Sequence, residues 1–115
     1  MILCVLDDLL FSVKISTAAK ALRADVYFER TPGSAVDRIR DMQPSLVILD
    51  LNCVKLQPMT VIAALKADPT TRAIRTLGFV SHVQTDTIAG ARAAGIDAVL
   101  ARSAFVERLG EILTA

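Results

Sequence analysis

The hydrophobic positions of this chain fall into five short runs, each followed by a more polar, helix-patterned stretch. Leu46 to Leu49 is a continuous apolar run of β-formers, with Pro44 just before it and Asp50 directly after. Such a run reads as a strand buried on both faces, as in the interior of a parallel sheet. Ile2 to Leu6 is a second all-apolar strand and ends in Asp7-Asp8. Asp25 to Glu29 places charged ends around Val26, Tyr27 and Phe28, the pattern of an edge strand. Thr76 to Val80 and Ala98 to Ala101 complete the set.

The intervening stretches carry helical spacing. From Leu10 to Leu22, the residues Phe11, Ile15, Ala18 and Leu22 fall on one face. Thr31 to Ser34 is a turn, and Ser34 is positioned to cap a helix through Met42 with Val36, Ile39 and Met42 inward. After a loop from Cys53 to Gln57, Pro58 opens a helix where its missing amide is not needed. Asp68-Pro69 ends that helix near Ala67. Asp86 to Ala94 is a small Ala-rich helix, which Gly95 stops. Ala104 to Leu113 is the last, burying Phe105, Leu109 and Ile112. Strands alternating with helices imply an α/β fold with a parallel sheet covered on both faces and right-handed crossovers. At 115 residues the chain is a single domain, 1–115.

Composition narrows the function classes. A hydrophobic content of 53% is ample for a core. A net charge of +1 gives no field to draw nucleic acid or anionic lipid, and one Tyr with no Trp leaves little for base stacking. No apolar run approaches the length of a membrane span. The apolar start runs straight into Asp7-Asp8 with no basic leader, so it reads as a strand rather than a signal peptide. Two cysteines and one histidine do not make a zinc site. Cys4 lies inside an apolar run and reads as a buried reduced thiol, which fits a cytoplasmic location. The five glycines are scattered, with no Gly-x-Gly-x-x-Gly, which argues against a nucleotide or flavin binder on the same sheet.

A parallel sheet brings all its carboxyl ends to one edge, where open α/β folds bind ligands. Asp7, Asp8, Asp50, Ser81 and Arg102 would then share that edge. Each also has a plain alternative: Asp50 and Ser81 as turn residues, Asp7 and Asp8 as charges complementing a helix dipole, and Arg102 as half of a salt bridge at a helix start. Two carboxylates about 4 Å apart repel by about 4 kcal/mol at an effective dielectric near 20. A hard divalent cation relieves that, and oxygen ligands are what Mg²⁺ prefers. With a Ser81 hydroxyl and the Arg102 charge, such an edge could balance a phosphoryl group carried on Asp50.

On these residues the chain resembles the receiver domain of two-component response regulators, over essentially its whole length. The resemblance implies a CheY-like, flavodoxin-type (βα)5 sheet in strand order 2-1-3-4-5. Asp50 matches the phosphoacceptor, and Asp7 and Asp8 the acidic pair that binds Mg²⁺. The backbone carbonyl of Asn52 matches a further metal ligand, Ser81 the hydroxyl after the fourth strand, and Gly95 the glycine before the fifth. The function implied is a stand-alone signalling switch, not an enzyme. It would be phosphorylated by a histidine kinase or phosphotransfer protein and act by protein contact, with a homodimer or partner surface on the fourth helix, fifth strand and fifth helix. The chain also departs from the family pattern. Arg102-Ser103 replaces Lys-Pro, Val54 and Pro58 alter the loop after the acceptor, His82 replaces a small residue, and Val99 replaces a switch aromatic. Arg102, His82 and Val99 point to the alternative of a degenerate receiver that binds a partner without being phosphorylated.

Overall fold

The five apolar runs pair side by side into one parallel sheet, in the order expected. In the computed structural model, which describes residues 1–81 and 84–115, the strands are β1 (Ile2–Val5), β2 (Val26–Glu29), β3 (Leu46–Asp50), β4 (Arg75–Val80) and β5 (Ala98–Ala101). They lie in the order β2-β1-β3-β4-β5. The helices are α1 (Leu9–Leu22), α2 (Ala35–Met42), α3 (Pro58–Ala67), α4 (Thr85–Ala94), α5 (Arg102–Glu107) and α6 (Leu109–Thr114). None of the described helices is long and apolar enough to cross a membrane.

Alternate residues of the central strands feed two separate cores. Leu3, Val5, Val47 and Leu49 point to one, with Ile39, Ile62 and Leu65 from α2 and α3. Ile2, Cys4, Leu6, Leu46 and Ile48 point to the other, with Phe11, Ile15, Phe105 and Ile112 from α1, α5 and α6. This two-sided burial is why β1, and β3 up to Leu49, are apolar at every position rather than at alternate ones. Each such side chain contributes on the order of 1.5–3 kcal/mol when removed from water. Cys4 and Cys53 are both free, and burial pushes the Cys4 thiol up to about 12. The edge strands β2 and β5 are short and only partly buried.

Several local expectations change. On α1 it is Ala19 rather than Leu22 that is buried; Leu22 lies at the exposed last turn. Ser34 stands before α2, but its backbone is already helical (φ −99°, ψ −13°) and its side chain makes no capping bond. A capping hydroxyl reaches the next turn from an extended backbone, which Ser34 lacks. The last helix, expected as one piece from Ala104, begins already at Arg102 and is interrupted at Arg108 (φ −99°, ψ 10°). Phe105 and Leu109 are buried on either side of the interruption, and Gly110 weakens helix propensity just beyond it. Gly95 ends α4 in the left-handed region (φ +103°), as expected for a glycine stop.

The register sets where the strands end. Leu49 lies beside Gly78, Asp50 beside Phe79, and Val80 beside Ala101. Gly78 is required by packing: a Cβ there would come within 2.7 Å of the Leu51 side chain and 2.8 Å of Ile96 Cδ1. Leu51 is buried and follows Asp50 directly, so it has little room to retreat. Gly78→Ala is therefore expected to cost about 1–3 kcal/mol through overpacking. In urea unfolding the midpoint falls with the slope unchanged; an unshifted midpoint would show that Leu51 can move aside.

Candidate functional site

The carboxyl edge of the sheet gathers four of the expected residues. Asp50 is the last residue of β3 and is half-buried. Asp8 precedes α1 as its N-cap, Ser81 follows β4, and Arg102 opens α5 directly after β5. Burial raises the Asp50 carboxyl above its ordinary range; the Asn52 amide and the Arg102 charge pull it back, while Asp8 pushes it further up. The Asn52 amide bonds Asp50 Oδ1 at 3.0 Å.

Asp8 is held from two sides. Its Oδ1 accepts the Phe11 amide at 3.0 Å, which caps α1, and its Oδ2 accepts from Arg102 at 3.3 Å. The Phe11 amide first, and Arg102 after it, hold its carboxyl below the usual range. Arg102 also reaches the Ser81 hydroxyl at 3.4 Å. Its guanidinium carbon lies 4.0 Å above the centroid of the Phe11 ring. A half-exposed ion pair of this kind contributes about 0–1 kcal/mol, and stacking on a ring about 0.5–2 kcal/mol.

The loops around Asp50 are tied together by a residue whose side chain sequence reasoning passed over. The Asn52 side chain accepts the Ser81 amide at 2.6 Å and donates to Gln84 at 2.9 Å. It thereby joins the loop after β3 to the loop after β4. Phe11 and Lys55 also enter the site, which spacing along the chain does not indicate. Phe11 reads from spacing as a core residue, and its second role needs β1 and β5 to be brought to one edge. Lys55 pairs with Asp7 at 3.0 Å and turns that carboxylate toward the loop after β3. Val99 is half-buried against the core beneath α2 and α3. His82 lies outside the described residues.

The oxygen donors expected for Mg²⁺ are the right chemistry, but as arranged they do not fit the ion. Asp7 is paired with Lys55, Asp8 with Arg102 and the Phe11 amide, and the Asn52 carbonyl accepts the Val54 amide at 3.1 Å. Among the described residues no group of three or more His, Cys, Asp or Glu side chains is placed to hold a metal.

No family model and no curated protein matches this sequence. Solved structures do match its fold. A response regulator from Hahella chejuensis superposes with a TM-score of 0.84 at 17% identity, over 98% of this chain and 92% of that one. The chemotaxis response regulator CheY4 of Vibrio cholerae gives 0.83 at 15% identity, over 98% and 94%. The Mn²⁺-bound form of response regulator Rcp1 gives 0.74 at 18% identity, over 96% and 89%. The chain thus has the CheY-like fold of response-regulator receivers.

The direction of the Asp50 shift has a consequence for stability. A carboxyl that holds its proton more tightly when folded subtracts stability once pH exceeds its folded pKa. It subtracts nothing well below the ordinary carboxylate value of about 4. Asp50→Asn removes that loss. The variant is expected to show a higher urea midpoint than the parent at pH 7, with the gap closing as pH falls to about 3. A gap of the same size at both pH values would contradict the burial assigned to Asp50.

Proposed function

We propose that this protein is a signalling receiver that accepts a phosphoryl group on Asp50 from a histidine kinase or phosphotransfer protein and passes the signal by protein contact. The observation that carries this reading is the placement of Asp50 at the end of the central strand, with the Ser81 hydroxyl and the Arg102 guanidinium at the same edge. Its likeness in fold to response regulators supports the receiver role.

In the transfer, an Asp50 carboxylate oxygen attacks phosphorus, the bond from phosphorus to the donor histidine nitrogen breaks with its electron pair going to that nitrogen, and the imidazole leaves neutral because its other ring nitrogen already carries a proton. Oδ1 is engaged by the Asn52 amide, so Oδ2 is the attacking oxygen. The acyl phosphate adds negative charge beside Asp8. Arg102 offers the compensating cation and Ser81 a hydrogen bond, so catalysis is charge neutralisation and positioning. The exposed Leu9, Leu10 and Val13 on the first turns of α1 supply apolar surface at this edge for a protein partner. The surface of α4, β5 and α5 is the candidate output or homodimer face.

One observation favours a second reading, in which the fold binds a partner without phosphorylation. Asp7 and Asp8 are each already bridged to a basic side chain of this chain, Lys55 and Arg102. Intact mass after incubation with acetyl phosphate, with Mg²⁺ and separately with EDTA, decides between the two. The first reading expects a gain of one phosphoryl mass in at least one condition, absent from Asp50→Asn. No gain in the parent protein in either condition would overturn it and favour phosphorylation-independent contact.

A further inference from the structure

The acidic pocket contains a closed ring of contacts built from three residues. The Phe11 amide donates to Asp8 Oδ1, Asp8 Oδ2 accepts from Arg102, and the Arg102 guanidinium carbon lies over the Phe11 ring, 4.0 Å from its centroid. Phe11 thus serves twice, with its amide on one carboxylate oxygen and its ring under the cation that bridges the other. The ring itself is fixed. It is buried, 5.0 Å from the Phe79 ring and 5.9 Å from the Phe105 ring by centroids, and those two stack on each other at 5.0 Å. Phe105 stands three residues after Arg102 on α5, so the packing that fixes the seat also anchors the helix that carries the cation. A planar guanidinium suits this seat, whereas an ammonium acts as a point charge without a face to stack.

We propose that Arg102, seated on Phe11 and bridged to Asp8, is the resident cation of this pocket and disfavours a divalent metal there. Two features of the pocket support this. Arg102 lies 3.3 Å from Asp8 Oδ2 and its charge acts on Asp50 as well, so a divalent ion shared by those two carboxylates would be repelled by a cation already in place. Asp7, the other acidic residue beside the pocket, is already bridged to Lys55. The charge of the acidic edge is therefore balanced by side chains of the chain itself. Phe11 is a positioning residue in this arrangement, since it acts through Arg102. The inference concerns the same pocket as the phosphoacceptor reading but does not require Asp50 to be phosphorylated.

The test is Mn²⁺ binding without any phosphodonor, read from the loss of the free-ion signal in electron paramagnetic resonance. The parent protein is expected to bind Mn²⁺ weakly. Arg102→Ala and Arg102→Gln are each expected to bind at least about tenfold more tightly. The gain should disappear when Asp50→Asn is added, which ties it to this pocket. Phe11→Leu, checked for folding by circular dichroism, should bind between the two because its Arg102 has lost its seat. The proposal is overturned if the parent binds Mn²⁺ as tightly as the Arg102 variants, or if both folded Arg102 variants bind no better than the parent. Phosphorylation is read separately by mass, so failure of the acceptor reading leaves this result interpretable, and the reverse holds too.

Discussion

The structure depends on the burial of β1 and β3 on both faces. Their alternate side chains supply two cores, and that demand fixes the parallel register to within one residue. A slip by a single residue would exchange the side chains sent to the two cores. The same register fixes where the strands stop. Because β3 ends at Asp50 beside Phe79, and Val80 pairs with Ala101, Asp50, Ser81 and Arg102 emerge at one edge without any direct interaction having to gather them. The site is in this sense a product of core packing.

Charge balance at that edge is the second constraint. Asp8 and Asp50 would repel if both stood ionised without a counter-charge. Here the compensation comes from Arg102, with Lys55 attending to Asp7. The Arg102 contacts are individually modest: two polar contacts longer than 3.2 Å and one stacking contact. Together they hold the guanidinium between Asp8, Ser81 and the Phe11 ring.

The sequence made the fold legible because its strongest signals are local. Leu46 to Leu49 and Ile2 to Leu6 leave little choice but buried parallel strands, and Pro58 and Gly95 mark a helix start and stop that the structure keeps. The misreadings occur where tertiary contacts decide. Ser34 looks like a cap, but its backbone had already turned helical. The final helix looked continuous because Phe105, Leu109 and Ile112 share a face whether or not Arg108 interrupts them. Within the site, the positions of Asp8, Asp50, Ser81 and Arg102 follow from strand ends, which can be counted along a chain. What they touch does not. Asn52 could be noticed only for its backbone, since its side chain bonds residues about thirty positions away. The stacking of Arg102 on Phe11 joins the first helix to the fifth and leaves no periodic trace.

Arg102 on its Phe11 seat is the charge that balances Asp8 at the acidic edge. The most direct measurement is a crystal structure of the protein grown with Mn²⁺, with anomalous differences recorded at the manganese edge. With Arg102 as the resident cation, it is expected to stay over Phe11 and bonded to Asp8, with no anomalous peak between Asp8 and Asp50. A manganese peak there, with Arg102 swung out into solvent, would contradict that assignment.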